Sequence, residues 1–207
     1  MSEEYHLPPL SESTVNPDPF AQFDAWFKEA LTGDFKEPTA MALATADSGG
    51  FPSVRMVLLK NYDERGFVFF TNYDSRKGRE LSQNPRASLL FWWDKLGRQI
   101  RIEGEVEKIS AEESSQYFSS RPRGSQLGAW ASSQSAVIAG REALENSLAE
   151  FEQKFAGQAV PRPEYWGGYR LKPRVFQFWQ SRPNRLHDRL QYRKLTGGSW
   201  VMERLAP

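Results

Sequence analysis

Hydrophobic positions along this 207-residue chain change their period twice. Phe20, Phe23, Phe27, Ala30 and Leu31 recur at steps of three and four, which places them on one face of a helix. Asp18 stands where an N-cap belongs, Pro19 at the first helical position and Gly33 just past the end. From Thr39 to Ile109 the pattern becomes short apolar or alternating runs separated by turn residues. Met41–Thr45, Ser53–Lys60, Phe67–Thr71, Ala87–Trp93 and Gln99–Ile109 predict five strands, with turns at 48–50, 61–66 and 94–97. A short helix from Ser75 to Gln83, capped by Ser75 and ended before Pro85, interrupts them. Strands and turns at this spacing predict an antiparallel barrel.

Beyond the barrel, Ser110-Ala111-Glu112-Glu113 matches a capping box, predicting a helix through Tyr117 and Phe118 that Pro122 interrupts. Arg121–Ser135 reads as a loop, Val137–Phe155 as a helix with a charged outer face, and 157–163 as a linker. The last part reads as strands over Gly168–Leu171, Arg174–Gln180, Arg185–Lys194 and Ser199–Leu205, with a hairpin turn at Thr196-Gly197-Gly198. Residues 1–17 have little periodicity and predict an arm that is mobile or folds only against something else. The expected class is mainly β with flanking helices (α+β), one domain over 18–207 with an arm before it.

Charge and composition narrow the chemistry. A formal net charge of +1 argues against a general nucleic-acid binder and for local anion sites. The absence of cysteine removes thiolate catalysis and cysteine metal sites, and two histidines leave little for a metal centre, so none is expected. No apolar run approaches the roughly 20 residues that cross a bilayer, and MSEEYHLPPL lacks the features of a signal peptide. No membrane association and a cytoplasmic location are the expectation.

Basic clusters are the candidate chemistry. Arg55 and Lys60 bracket an apolar run, a pattern shared by anion sites and by strands whose charged ends reach water. Thr71, Ser75, Arg76 and Lys77 lie where a strand meets a helix start, and with free backbone amides they would form a phosphate cradle. Tyr117 and Arg121 sit four apart on one helix face, with Arg123 and Ser125 following. Arg185, His187 and Arg189 alternate by two, so a strand would turn all three to one face. Gln99, Gln134, Ser135 and Trp179 are candidates to orient a flat polar ligand.

Several long motifs in one order carry a family resemblance: RMVLLK at 55–60, FFTNYDSRKGRELSQNP at 69–85, YFSSRPRGSQLGAWASSQS at 117–135, FWQSRPNRLHDR at 178–189 and the ending ERLAP. From about residue 17 to the end the chain resembles the pyridoxamine (pyridoxine) 5'-phosphate oxidase family. The resemblance implies a homodimer of Greek-key FMN-binding split β-barrels with FMN at the subunit interface. It implies that Arg55, Thr71, Arg76, Lys77, Gln134 and Ser135 hold FMN, chiefly its phosphate and ribityl chain. Met56, Val57, Leu58, Leu59, Lys60 and Phe70 would also contact the cofactor, with Gln99, Trp179 and Arg189 near the ring system. Lys60, Tyr117, Arg121 and Ser125 would bind the substrate phosphate, and Arg185 and His187 would cover the pyridine ring as the catalytic pair.

The implied reaction oxidises pyridoxamine or pyridoxine 5'-phosphate to pyridoxal 5'-phosphate. Hydride passes from substrate C4' to flavin N5, and O2 reoxidises the flavin to give H2O2, with ammonia released from the amine. A phenazine-pathway flavin oxidase on the same barrel and a noncatalytic binder of FMN or pyridoxal phosphate are the alternatives. Two departures stand out. Phe70 occupies a position where some relatives carry Tyr, and Tyr5 follows Ser2, Glu3 and Glu4 where the family's arm is basic.

Overall fold

A computed structural model describes residues 8–207. Tyr5 and its acidic neighbours lie outside the described residues. Helix α1 (Pro19–Thr32) begins as its caps dictate: the Asp18 side chain accepts from the Phe20 amide, and Gly33 closes the end through its N–H to Ala30 and Glu29. The buried face comprises Phe23, Trp26, Phe27 and Ala30, while Leu31, expected on that face, is about half exposed. Strands β1 (Ala40–Ala46), β2 (Pro52–Leu58), β3 (Asn61–Asp63) and β4 (Gly66–Asn72) follow. Next come α2 (Arg76–Gln83), β5 (Arg86–Trp93), β6 (Arg98–Lys108), α3 (Ala111–Ser120), α4 (Arg123–Ala131), α5 (Arg141–Lys154), β7 (Trp166–Gln180), β8 (Asp188–Lys194) and β9 (Trp200–Arg204).

The sheet is antiparallel in the order β2-β1-β5-β6-β7-β4-β3, with β8 and β9 continuing from the other half of β7. β5, β6 and β7 are consecutive neighbours and β4 returns beside β7, which is a Greek key. The two end strands of this order are one stretch of chain broken at Leu59-Lys60. There the Leu59 amide reaches Thr39 O at 2.9 Å and the Lys60 amide Val68 O at 2.9 Å. The sheet is curled and open, in line with the antiparallel barrel expected from the turn spacing and the split barrel that the resemblance implies, and its two edges are joined by covalent continuity. Its interior is aromatic: Phe23 of α1 lies among Phe27, Tyr62, Phe67 and Phe91, with ring centroids 4.8–5.4 Å apart. A second, smaller core of Phe118, Leu127, Phe155, Val160 and Trp166 joins α3, α4 and α5 to the start of β7.

Four segments depart from the sequence reading. α4 occupies part of the stretch expected as a loop, since Pro122 ends α3 and also opens the next helix, whose Gln126 amide bonds Pro122 O. α5 begins at Arg141, not Val137, because the small residues before Gly140 supply neither a side-chain cap nor an apolar stripe, and Val137 is fully exposed. The two strands expected at 168–171 and 174–180 are one, β7. Pro173 fits within it because β4 pairs only as far as Leu171 and β8 only from Val175, so no ladder bond is asked of its missing N–H. On the β6 side the register shifts between Glu103 and Gly104, where a Cβ on Gly104 would lie 2.0 Å from Lys172 O. Finally, β8 starts at Asp188, not Arg185. Pro183 opens a 3-10 turn and Asn184 and Arg185 are left-handed (φ 57° and 62°), so Arg185 and His187 precede the strand and the three-residue alternation does not form.

Residues 8–17 pack against the sheet: Leu10 is buried, Pro8 O accepts from Gln180, and Asn16 O accepts from Tyr192 at 2.7 Å. No helix among the described residues is long and apolar enough to cross a membrane. Truncating Phe23 removes the ring at the centre of the aromatic interior. Phe23→Ala is expected to lower unfolding free energy by about 3–5 kcal/mol, read as a lower urea midpoint at unchanged denaturant slope.

Candidate active site

One cleft of about 880 Å³ lies where β2, β4 and α2 meet α3 and α4. Its wall includes Arg55, Met56, Val57, Leu58 and Lys60 from β2 and its end, Phe70 and Thr71 from β4, and Lys77 from α2. Tyr117, Arg121 and Ser125 face it from α3 and α4, and Gln134 and Ser135 from the segment after α4. Thus the first three basic clusters of the sequence converge on one space. Asn72, Ser132 and Trp166 also line it, and their ordinary sequence surroundings did not mark them.

At one pole Lys77 is buried, and its Nζ donates to three neutral oxygens: Thr71 Oγ1 (3.1 Å), Gln134 Oε1 (3.1 Å) and Ser75 Oγ (3.4 Å). Burial, and after it the neighbouring Arg55 guanidinium, push the lysine down to about 8. Arg55 is held in turn by Glu80 at 3.2 Å, Thr45 Oγ1 at 2.5 Å and Ser53 Oγ. Glu80 also accepts from Thr45 (2.5 Å), Ser53 (2.6 Å) and Arg76 Nε (2.8 Å). Burial pushes the Glu80 carboxyl up, but the hydrogen bonds from Ser53, Thr45 and Arg76, with the Arg55 charge, outweigh it and hold the group at about 2. Glu80 was missed in the sequence, although its place one turn after Arg76 on a capped helix is the signal for such a pair. Ser135 adopts a left-handed backbone (φ 71°), a strained conformation for a serine, at the wall beside Gln134.

At the other pole Phe70, Tyr117 and Trp166 form a stack, with Phe70–Tyr117 centroids 3.9 Å apart and Phe70–Trp166 5.4 Å. The Phe70 ring keeps this stack without a hydroxyl. Arg121 lies over Trp166 at 4.5 Å, burial pulls its guanidinium below the ordinary value, and its Nη1 is buried without a hydrogen-bond partner. Among the described residues no carboxylate pairs with Lys77 or Arg121. A buried cation without a counter-ion is costly. The buried Lys77 ammonium and the half-buried Arg121 guanidinium, whose Nη1 has no partner, give this cleft a donor set suited to anions such as phosphate groups.

The remaining predicted residues lie elsewhere. Leu59 faces the barrel core, and the more exposed Arg76 pairs with Glu80 outside the cleft lining. Gln99, Trp179 and Arg189 fall on one row across the sheet, because Trp92 pairs with Gln99, Gln99 with Trp179 and Trp179 with Arg189. His187 packs on Trp179 with ring centroids 4.6 Å apart, and its Nδ1 accepts from the Arg182 amide at 3.1 Å, which places the neutral ring's proton on Nε2. Arg185 is exposed at the tip of the same connection. None of these five lines the cleft.

A family model described as pyridoxamine 5'-phosphate oxidase matches residues 27–155, more than half of the chain. The chain belongs to the pyridoxamine 5'-phosphate oxidase family. A second model, described as the pyridoxine 5'-phosphate oxidase C-terminal dimerisation region, matches residues 166–207. Among relatives, a pyridoxine/pyridoxamine 5'-phosphate oxidase from Gloeothece citriformis is 57% identical over all of this chain and 97% of its own length. One from Paraburkholderia phymatum is 58% identical with the same coverage. Among solved structures, PhzG from Burkholderia lata, in complex with tetrahydrophenazine-1-carboxylic acid, superposes with a TM-score of 0.91 at 34% identity, covering 99% of this chain and 100% of that one. A pyridoxamine 5'-phosphate oxidase-related, FMN-binding protein from Nostoc punctiforme (TM-score 0.74, 17% identity, 93% of this chain and 100% of that one) shares the fold.

The acid response of the Glu80 cluster is open to measurement. Its carboxyl titrates below the usual value, so its stabilisation is complete above about pH 4.5 and is lost as pH falls toward about 2. Glu80→Gln is expected to cost on the order of 3 kcal/mol at neutral pH and to flatten the fall in stability between pH 4.5 and 2, followed by urea titrations across that range.

Proposed function

We propose that this chain catalyses the FMN-dependent oxidation of pyridoxamine or pyridoxine 5'-phosphate to pyridoxal 5'-phosphate, with O2 as electron acceptor. The observation that carries the reading is the pair of cations without a carboxylate partner in hydrogen-bond reach, buried Lys77 and half-buried Arg121, at the two poles of one cleft. Arg55, Lys77, Thr71, Gln134 and Ser135 would hold the FMN phosphate and ribityl chain, and Lys60, Tyr117, Arg121 and Ser125 the substrate phosphate. FMN, when bound, supplies the redox chemistry, taking a hydride from substrate C4' and passing the electrons to O2.

The chain's own part is to bind and orient. Charge-assisted hydrogen bonds contribute about 1.5–3 kcal/mol each, so a set at each pole fixes two phosphates and with them the separation of the reacting atoms. The stack of Phe70, Tyr117 and Trp166 excludes water on one side of the substrate pole. Hydride departure needs little acid or base from the protein, so Arg185 and His187 act by covering and polarising the substrate ring.

Those two residues must reach the cleft from a second copy. One outer face of the sheet runs from Met56 and Val54 on β2 across Ala42 and Ala44, Leu90, and on to Trp92 and Trp179. Met56, Val54 and Trp92 on it are more than half exposed, an apolar surface of the kind that interfaces cover. A two-fold dimer through this face would give each cleft the partner's Gln99–Trp179–Arg189 row with His187 and Arg185. Retention of the whole substrate-phosphate set favours the vitamin B6 substrates over a phenazine precursor.

Aerobic turnover of either substrate should yield pyridoxal phosphate and peroxide; flavin-loaded protein that turns over neither would falsify the reading. Arg185→Ala is expected to lower kcat/KM by about a hundredfold with FMN content kept, whereas Arg55→Ala should lose flavin first. FMN affinity of the apoprotein should fall as pH rises through about 8, where Lys77 loses its proton, and Lys77→Met should show weak, pH-independent binding in the same titration.

A further inference from the structure

The connection between β7 and β8, residues 181–187, carries Arg185 and His187 but few bonds of its own. Ser181 N reaches Gly97 O, Leu186 N reaches Pro183 O, and Arg182 N reaches His187 Nδ1. Two successive left-handed residues, Asn184 and Arg185, add backbone strain. Such a segment holds one shape only if its surroundings over-determine it. The element that does so is a single carboxylate at its C-terminal foot.

Asp188 opens β8 opposite Gln180, the last ladder pair before the connection. Its Oδ2 accepts from Arg182 Nε at 2.9 Å and from the Leu10 amide at 3.1 Å, and its Oδ1 accepts from Arg204 Nη1 at 3.2 Å. Arg204 also grips Glu12 through two bonds (2.9 and 2.8 Å) and the Leu10 carbonyl at 3.0 Å. One carboxylate therefore ties three segments together: the connection through Arg182, the end of β9 through Arg204, and the docked arm through Leu10. The bond to Arg182 matters most for chemistry, because the amide of that same residue fixes the His187 ring.

We infer that Asp188 is a positioning residue for the oxidase reaction, holding Arg185 and His187 in working geometry and coupling that geometry to the docking of residues 8–12. The inference rests on the proposed placement of Arg185 and His187 against substrate. Asp188 itself touches neither substrate nor flavin in this scheme. Its role is to set the rotamer and reach of the two residues that do, so its effect must pass through them.

The experiment uses full-length, FMN-loaded protein. Asp188→Asn keeps the shape but removes the charge that two arginines share. Its kcat/KM per bound flavin is expected to fall about tenfold to a hundredfold, with FMN content and oligomeric state kept. Placed in a background carrying both Arg185→Ala and His187→Ala, the same change should cost less than threefold further, since both of its routes are already cut. Independently of activity, amide exchange in the apoprotein should quicken together in residues 181–187 and 8–12 and nowhere else in the barrel. Arg204→Gln, which loosens the hub from its outer side, should give the same pattern at smaller amplitude, and it decides the matter if Asp188→Asn does not fold.

Unchanged kinetic constants per flavin, a loss that merely follows loss of FMN, or full additivity with the Arg185→Ala/His187→Ala pair would each overturn the inference. Should Arg185→Ala and His187→Ala both leave turnover intact, the placement of those residues fails instead; the coupled exchange of the two segments still reports on the hub.

Discussion

β7 constrains everything else in the molecule. From Tyr169 to Gln180 it is paired with β6 on one side, and it divides its other side between β4 and β8. Trp166, at one end, lines the anion cleft, while Trp179, toward the other, anchors the row with Gln99, Arg189 and His187. Thirteen residues at about 3.3 Å each put roughly 40 Å of strand path between them. A continuous strand holds these two ends apart, so in the proposed scheme the cleft and the row of one chain would not complete one site. The separation of the cleft from the row is thus a property of the sheet's topology, and the proposed dimer would bring the two together.

Electrostatics and packing cooperate at the cleft. The barrel interior is almost wholly aromatic and aliphatic, so its charged residues collect at the rim where β2, β4 and α2 meet. Glu80 neutralises and fixes Arg55, which frees neither group to wander and leaves Lys77 as the pole's uncompensated charge. At the far pole the stacked rings give Arg121 a flat support but no acceptor. Preorganised donors of this kind have their desolvation cost met when the chain folds, so a ligand does not meet it again on binding.

Much of this was legible from residue order alone. The caps at Asp18 and Ser110, the period of α1 and the turn-separated strands of the barrel correspond to elements in the structure, because each rests on local chemistry. The clusters around Arg55, Lys77 and Tyr117 could be listed separately, but only the long motifs related them to one site. What stayed hidden is non-local. Glu80 matters through Thr45 and Ser53, 35 and 27 residues away, and Trp166 through its stack with Phe70 and Tyr117. The expected alternation of Arg185, His187 and Arg189 failed because spacing by two has meaning only inside a strand. Pro183 and the left-handed pair end the strand geometry before it can apply.

The Glu80 cluster has one more consequence, for selectivity. Within the cleft wall Arg55 and Lys77 stand beside the single carboxylate of Glu80, which the exposed Arg76 reaches from outside the lining, so the buried corner keeps a net positive charge centred on Lys77. A phosphate monoester at neutral pH carries close to two negative charges. In the proposed scheme such a group would pair with Lys77, whereas the same flavin without its phosphate would leave that buried ammonium unmet. On that proposal, discrimination against the unphosphorylated vitamin would come from the protein's unmet charge as much as from lost contacts, a preference set before any ligand arrives.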